Sequence, residues 1–73
     1  MTKLPLISSR ECVNALKKIG FKITGQTGSH INLRRDEPYA KTVVPERREI
    51  AKGTLRRIIR DAGLTVDEFV ELL

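Results

Sequence analysis

Residues capable of acid–base chemistry centre on one short stretch of the sequence, Gly28-Ser29-His30, which is followed by Ile31-Asn32-Leu33-Arg34. His30 is the only histidine of the chain, and histidine is the side chain that ordinarily changes charge near neutral pH. Alternation of apolar and polar residues predicts a strand that sends His30, Asn32 and Arg34 to one face. His30 would then be either a proton-transfer group beside a cation or a polar strand residue without function.

Such a face suits the cleavage of RNA, which carries its own nucleophile in the 2′-hydroxyl. The 2′-oxygen must lose its proton, and the leaving 5′-oxygen must gain one. Histidine can perform either transfer at neutral pH, and Arg34 or Lys41 on the same surface could stabilise the charge on the phosphate. Because one histidine supplies one transfer, a second group or water must supply the other.

Two further segments contain residue types that bind phosphate. Gly28 and Ser29 either form a hairpin turn or let the backbone approach a phosphate. The segment Lys52-Gly53-Thr54 leads into a helix N-terminus, where free N–H groups attract phosphate. Arg57 is expected on the outer side of this helix. Basic residues spaced by four line one side of it, either as an RNA contact or as a solvated face: Lys52, Arg56 and Arg60.

The charge of the chain favours a polyanionic partner. The net charge is +5 and the pI is about 9.9 over 73 residues, a length that allows one domain, residues 1–73. Residues 34–60 carry nine Lys or Arg and four Asp or Glu, whereas residues 61–73 carry four acids and no base. This segregation indicates a nucleic-acid surface, with an ordinary solvated surface as the alternative.

Other functional classes find little support in the sequence. Cys12 is the only cysteine, so no intramolecular disulfide can form, which fits a reducing cytoplasm. Because Cys12 falls on the inward side of a predicted helix, we expect a core residue rather than a nucleophile. We expect no metal and no cofactor, since ligand spacings and nucleotide-binding motifs are missing from the sequence. No apolar run approaches the roughly 20 residues of a membrane span, and we expect no secretory signal.

Capping patterns predict three helices. Ser8 and Glu11 form a capping box that opens a helix over residues 9–19. A second helix begins after Gly53 or Thr54, where apolar residues recur at helical spacing. A second capping box precedes a short third helix, and a glycine ends each of the first two helices. The residues of this box and the two glycines are Thr65, Glu68, Gly20 and Gly63.

Three alternating segments predict an antiparallel meander over residues 21–24, 31–34 and 40–44. Gly25 and Gly28 bracket a polar connection between the first two strands. The order α-β-β-β-α-α predicts an α+β two-layer sandwich, with the helices on one face of the sheet. The other face is left to water or to a ligand.

In their order and spacing, four segments resemble the HicA family of toxins from prokaryotic toxin–antitoxin pairs. They are Leu16-Lys17-Lys18-Ile19-Gly20-Phe21, Gly28-Ser29-His30, Thr42-Val43-Val44-Pro45, and the stretch from Lys52 to Leu64. The resemblance implies a fold similar to double-stranded RNA-binding domains, with an added C-terminal helix. It also implies a ribosome-independent mRNA interferase that needs no metal, in which His30 is the catalytic residue. The cognate partner would be a HicB antitoxin that covers the His30 face.

One departure from the family concerns proton transfer. Many members carry a second histidine shortly after the proline of the third strand, and Arg47 is nearest to that position here. An arginine can hold phosphate but is a poor proton donor, because it stays charged. If the second histidine assists elsewhere in the family, this protein must manage differently or act more slowly.

The leading hypothesis is therefore a cytoplasmic toxin endoribonuclease with His30 as general base or acid. Candidate phosphate contacts near the site are Arg34, Lys41 and Arg47. The RNA backbone would be held at a distance by the basic residues of the second helix, Lys52, Arg56 and Arg60. One alternative is a non-catalytic RNA-binding module, which would bind in a salt-sensitive way without cleavage. A second is a protein-interaction subunit with an acidic partner. Because Tyr39 is the one plausible stacking residue, we expect backbone and shape readout with loose sequence preference.

Overall fold

The order of the elements confirms the predicted α+β arrangement. A computed structural model describes residues 3–73, which form a three-stranded antiparallel sheet with helices packed on it. The elements follow as helix α1 Ser9–Lys17, strands β1 Lys22–Thr27, β2 His30–Asp36 and β3 Tyr39–Pro45, and helices α2 Lys52–Asp61 and α3 Val66–Val70.

The sheet has one face buried against the helices and one open face. Strand β2 lies between β1 and β3, and α1 and α2 pack mainly on β3. Leu33, Thr42 and Val44 point towards the helices and are almost fully buried. The residues that alternate with these along β2 and β3 point the other way. They begin with His30 and Pro45 and lie on what we call the open face.

The first hairpin differs from the prediction. Strand β1 continues through Gly25 to Thr27, and Gly28-Ser29 alone forms the turn. The pairing shifts by one residue between Ile23 and Gly25, so Gly25 belongs to a β-bulge rather than to the connection. Gly28 has φ 58°, the positive φ that a two-residue hairpin turn requires at this position. His30 therefore begins β2 directly after a tight turn.

The helix boundaries follow local hydrogen bonding. Both predicted capping boxes are confirmed at the starts of α1 and α3. Helix α1 ends earlier than predicted because the next three N–H groups bond three residues back, in a tighter turn that ends at Gly20 with φ 98°. Helix α2 begins before the predicted start and runs through Gly53, since Ala51 is its N-cap.

One apolar core ties the helices to the sheet and holds the link between β3 and α2. The largest fully buried side chains include Phe21, Phe69 and Ile50. Ile50 is the apolar anchor of the charged link, and its N–H donates to the Ile7 carbonyl at 2.9 Å. Within residues 3–73 we find no helix with the length and apolar character needed to cross a membrane.

Candidate active site

The backbone around His30 is held from both sides. His30 lies opposite Thr27 on β1 and opposite Pro45 on β3, and its side chain is exposed. The Glu46 N–H donates to the carbonyl oxygen of Ser29 at 2.6 Å, which joins the turn to the segment that follows β3. The histidine is therefore an accessible group on a backbone that is paired with both neighbouring strands.

A pocket of about 410 Å³ opens beside His30. It lies where the end of β3, the charged link and the first turn of α2 meet. The side chains around it include two arginines, one carboxylate and one hydroxyl, which suit an anionic ligand with exchangeable protons. The lining residues are His30, Pro45, Arg47, Glu49, Ala51, Thr54 and Arg57.

Arg57 is held in place at this pocket, and its predicted position on the outer side of α2 is wrong. One guanidinium nitrogen donates to the Val43 carbonyl oxygen at 2.8 Å, and another pairs with Asp61 Oδ2 at 2.9 Å. Asp61 Oδ2 also accepts from the Thr42 hydroxyl at 3.0 Å. Since α2 packs against β3, this flank of the helix faces the edge of the strand. A guanidinium has five N–H donors, so donors remain for a ligand.

Arg47 enters the pocket from the charged link. Its N–H donates to the Ser9 hydroxyl at 3.2 Å, and its carbonyl accepts from the Ser9 N–H at 3.0 Å. Its guanidinium donates to the Glu46 carbonyl at 2.9 Å. Arg47 and His30 therefore line the same pocket.

The start of α2 offers free backbone donors to the same pocket. In the part of the chain that the structure describes, no side chain caps α2, and its first turn contains no acid. Helix N-termini leave N–H groups without internal partners and carry a partial positive charge. Ala51 and Thr54, which line the pocket, belong to this first turn and its cap.

Sequence reasoning also missed Glu49. It is the one carboxylate among the described residues that line the pocket. A glutamate in a charged link has no distinguishing pattern, so the sequence offered no way to select it. By contrast, the spacing of Arg57 and Asp61 by four residues on a helix could have indicated their pairing.

The other predicted contacts lie away from the pocket. Arg34 and Lys41 are opposite each other on the open face, and Arg34 is four residues from His30, about 13 Å along a strand. Lys52 and Arg56 line a separate groove of about 510 Å³ with Lys3. Arg60 is exposed on α2 and lines neither space. Gly28 and Ser29 form the turn itself.

The structure also bears on two other kinds of site, a cysteine nucleophile and a metal centre. Cys12 is fully buried in the core, and burial raises the pKa of its thiol from 9.0 to about 12, which confirms the expected core position. Among residues 3–73, no three His, Cys, Asp or Glu side chains are grouped closely enough to hold a metal ion. The pocket brings together an imidazole, a carboxylate and two guanidinium groups, which are groups able to exchange protons or to bind an anion.

Comparison with known proteins shows the family to which the chain belongs. A search among curated proteins finds no match to the chain. A family model described as the HicA toxin of bacterial toxin–antitoxin systems matches residues 9–64, which include α1, the whole sheet and α2. The match covers most of the chain and every residue that lines the pocket. The chain belongs to the HicA toxin family of bacterial toxin–antitoxin systems.

Proposed function

We propose that this toxin is an endoribonuclease, an mRNA interferase that cleaves RNA in the cytoplasm through acid–base catalysis by His30. The observation that carries the proposal is the pocket in which an accessible histidine meets two arginines and the uncapped start of a helix. Family membership supports it, because a toxin must act on a cellular target. The net charge of +5 suits RNA as that target.

The reaction needs one nucleophile, two proton transfers and stabilisation of negative charge. The 2′-oxygen loses its proton and attacks the adjacent phosphorus, and the bond from phosphorus to the 5′-oxygen breaks. The products are a 2′,3′-cyclic phosphate and a 5′-hydroxyl, with no change of oxidation state. Arg57, Arg47 and the free amides of α2 would stabilise the phosphate oxygens as their charge grows.

Two groups of the pocket can exchange the protons. At neutral pH a carboxylate is a proton acceptor, which assigns the removal of the 2′ proton to Glu49. His30 then donates a proton to the leaving 5′-oxygen as the general acid. Glu49 lies two positions after Arg47, so in this pairing it would supply the second proton transfer without a second histidine.

Membership of a toxin–antitoxin family implies an antitoxin partner. We assign this role to a HicB-type protein that covers the His30 face and excludes RNA. The positive surface around the pocket suits a partner with acidic side chains at the contact. Inhibition would then need no change in the fold of the toxin.

The test is cleavage of a mixed-sequence RNA by wild type and His30→Ala, with EDTA present. The loss of one acid–base group should lower kcat by roughly 10²–10⁴-fold. Thr27→Ala is the matched control, because Thr27 is exposed and directly opposite His30 but does not line the pocket. Circular dichroism would verify that each variant is folded.

Each outcome has a defined meaning. Cleavage by wild type and Thr27→Ala, but not by folded His30→Ala, supports catalysis at His30. Equal cleavage by all three proteins contradicts it and indicates another site or a contaminating nuclease. If wild type binds RNA in a salt-sensitive way but never cleaves it, the protein is a passive RNA-binding module.

A further inference from the structure

Three cations lie side by side across the open face of the sheet. The strand register places Lys22 of β1 opposite Arg34 of β2, and Arg34 opposite Lys41 of β3. Directly opposed side chains on one face have Cβ atoms about 5 Å apart, and like charges in such pairs are destabilising. We call these three residues the cation row.

The charge of the cation row is scarcely neutralised within the protein. Among residues 3–73, its one ion pair joins Arg34 to Asp36 at 2.9 Å. Both side chains of that pair are more than half exposed, so the pair is worth little in water. A row of like charges that costs stability, and that has only one exposed ion pair among the described residues, indicates an external anion.

A shallow depression of about 580 Å³ lies beside the cation row. On the open face it is lined by residues that include Asn32, Tyr39 and two members of the row, Arg34 and Lys41. Tyr39 is 64% exposed, which is unusual for a large aromatic side chain. Asp61 also lines the depression, but its carboxylate is engaged by Arg57 and Thr42.

We infer that the cation row, Tyr39 and Asn32 form a nucleotide subsite for single-stranded RNA, which flanks the bond cleaved at His30. An exposed aromatic ring stacks on a base, an amide can bond to a base edge, and cations contact phosphates. A base can reach Tyr39 in this way only when it is unpaired and unstacked from its neighbours. The substrate class is therefore unpaired RNA rather than a duplex.

The position of the subsite sets the path of the strand. Arg34 and His30 are four residues apart on β2, about 13 Å, and the Arg34 guanidinium pairs with Asp36, which lies still farther from His30. The two side chains would therefore contact different parts of an RNA strand. The RNA would run along β2, with its cleaved phosphate at the His30 pocket and a flanking nucleotide on the cation row. This subsite rests on the proposed function for its relation to cleavage, but its binding can be measured independently.

The first experiment measures binding with the His30→Ala protein, which avoids cleavage of the probe. A fluorescent single-stranded RNA would be titrated at several salt concentrations against Lys22→Gln, Lys41→Gln and the control Lys17→Gln. Lys17 is exposed in the last turn of α1, in the helix layer. Each neutralised member of the row should reduce the slope of log Kd against log salt by about 0.7, whereas Lys17→Gln should leave it unchanged.

The second experiment tests the stacking residue and the preference for unpaired RNA. Tyr39→Ala should weaken binding by at least about fivefold, and Tyr39→Phe should retain affinity, because the ring provides the contact. A duplex of the same sequence should bind more weakly than the single strand. A duplex that binds equally or more tightly would overturn the subsite.

Stability measurements separate lost contacts from lost structure. Because neutralisation relieves like-charge repulsion, Lys22→Gln and Lys41→Gln should melt at the same temperature as the parent or higher. Reduced affinity with a lower melting temperature would count against a binding role and for a structural one.

Cleavage by proteins that keep His30 distinguishes this inference from the proposed function. If wild type cleaves RNA and the row variants have an unchanged KM, the subsite is wrong and the catalytic proposal stands. If wild type never cleaves but single-stranded binding depends on the row, the subsite stands alone. If the row variants lose an acidic partner protein while RNA affinity is unchanged, the row is a protein interface and the inference fails.

Discussion

Replacement of Asp61 by alanine tests the contacts that join α2 to β3 and hold Arg57 at the pocket. Asp61 Oδ2 accepts from the Thr42 hydroxyl at 3.0 Å and pairs with Arg57 at 2.9 Å. Thr42 is only 4% exposed, so removal of the carboxylate leaves a buried hydroxyl without its partner, a cost of about 1–3 kcal/mol. The partly exposed ion pair adds at most about 1 kcal/mol.

The expected loss is thus about 1–4 kcal/mol of unfolding free energy. A domain of this length has roughly 4–11 kcal/mol in total, so Asp61→Ala should fold but unfold at clearly lower denaturant. Urea titration followed by far-UV circular dichroism gives this difference. With a slope near 1 kcal/mol per molar urea, the midpoint should fall by roughly 1–4 M.

A double-mutant cycle isolates the contact with Thr42. Thr42→Val removes the hydroxyl at nearly constant shape, so no buried donor remains to lose its partner. In that background Asp61→Ala should cost only about 1 kcal/mol, the part that belongs to Arg57. If the two single changes are instead additive, the hydroxyl and the carboxylate are not coupled and the structural reasoning is refuted.

Variants of Asp61 also test whether this residue orients Arg57 for catalysis, apart from its effect on folding. Asp61→Asn keeps an acceptor for both partners, whereas Asp61→Ala frees the Arg57 guanidinium. At a temperature where both variants are fully folded, Asp61→Ala should lower kcat for RNA cleavage at least tenfold, and Asp61→Asn should retain most of it. An equal kcat for the two folded variants would mean that Arg57 needs no orientation by Asp61.

Three further predictions concern single residues. Glu49→Gln should lower kcat by roughly 10²–10⁴-fold as the loss of a general base; a rise in activity would instead mean that Glu49 only repels phosphate. Because the Cys12 pKa is raised to about 12 in the folded protein, the unfolded chain ionises first, and stability should fall between about pH 9 and pH 12. The gap in unfolding free energy between wild type and Cys12→Ala should shrink there by about 1.4 kcal/mol per pH unit; a constant gap would show that the thiol is not buried. Gly28 has φ 58° with open space around it, so Gly28→Ala should cost about 1–2 kcal/mol in urea unfolding and Gly28→Asn less; equal costs would rule out the backbone conformation as the cause.

Local signals in the sequence located all three helices and the capped starts of α1 and α3. The two capping boxes and the glycines after α1 and α2 are confirmed, because these motifs satisfy backbone groups within a few residues of each other. The start of α2 was misplaced since no side chain among the described residues caps it. Without a capping residue, apolar periodicity alone locates a helix but not its first turn.

The candidate site was predictable only in part, because it is assembled from distant segments. His30 could be selected from its type, its motif and its strand position. The position of Arg57 could not, since helical periodicity separates the apolar stripe from the rest and takes no account of a neighbouring strand edge. Its anchor is the Val43 carbonyl, a backbone group that every residue carries and that no sequence pattern can single out.

The cation row depends on a single inserted residue in β1. From the Thr27–His30 pair, regular antiparallel pairing would place Ile23 opposite Arg34, and Lys22 opposite Arg35. The bulge between Ile23 and Gly25 shifts the register by one, so Lys22 instead lies opposite Arg34 and Ile23 opposite Leu33. Because a shift of one residue exchanges the two faces of a strand, the bulge itself adds Lys22 to the open face. The sequence predicted Gly25 in a connecting loop, but Gly25 belongs to the bulge. This bulge therefore completes the cation row proposed to contact RNA.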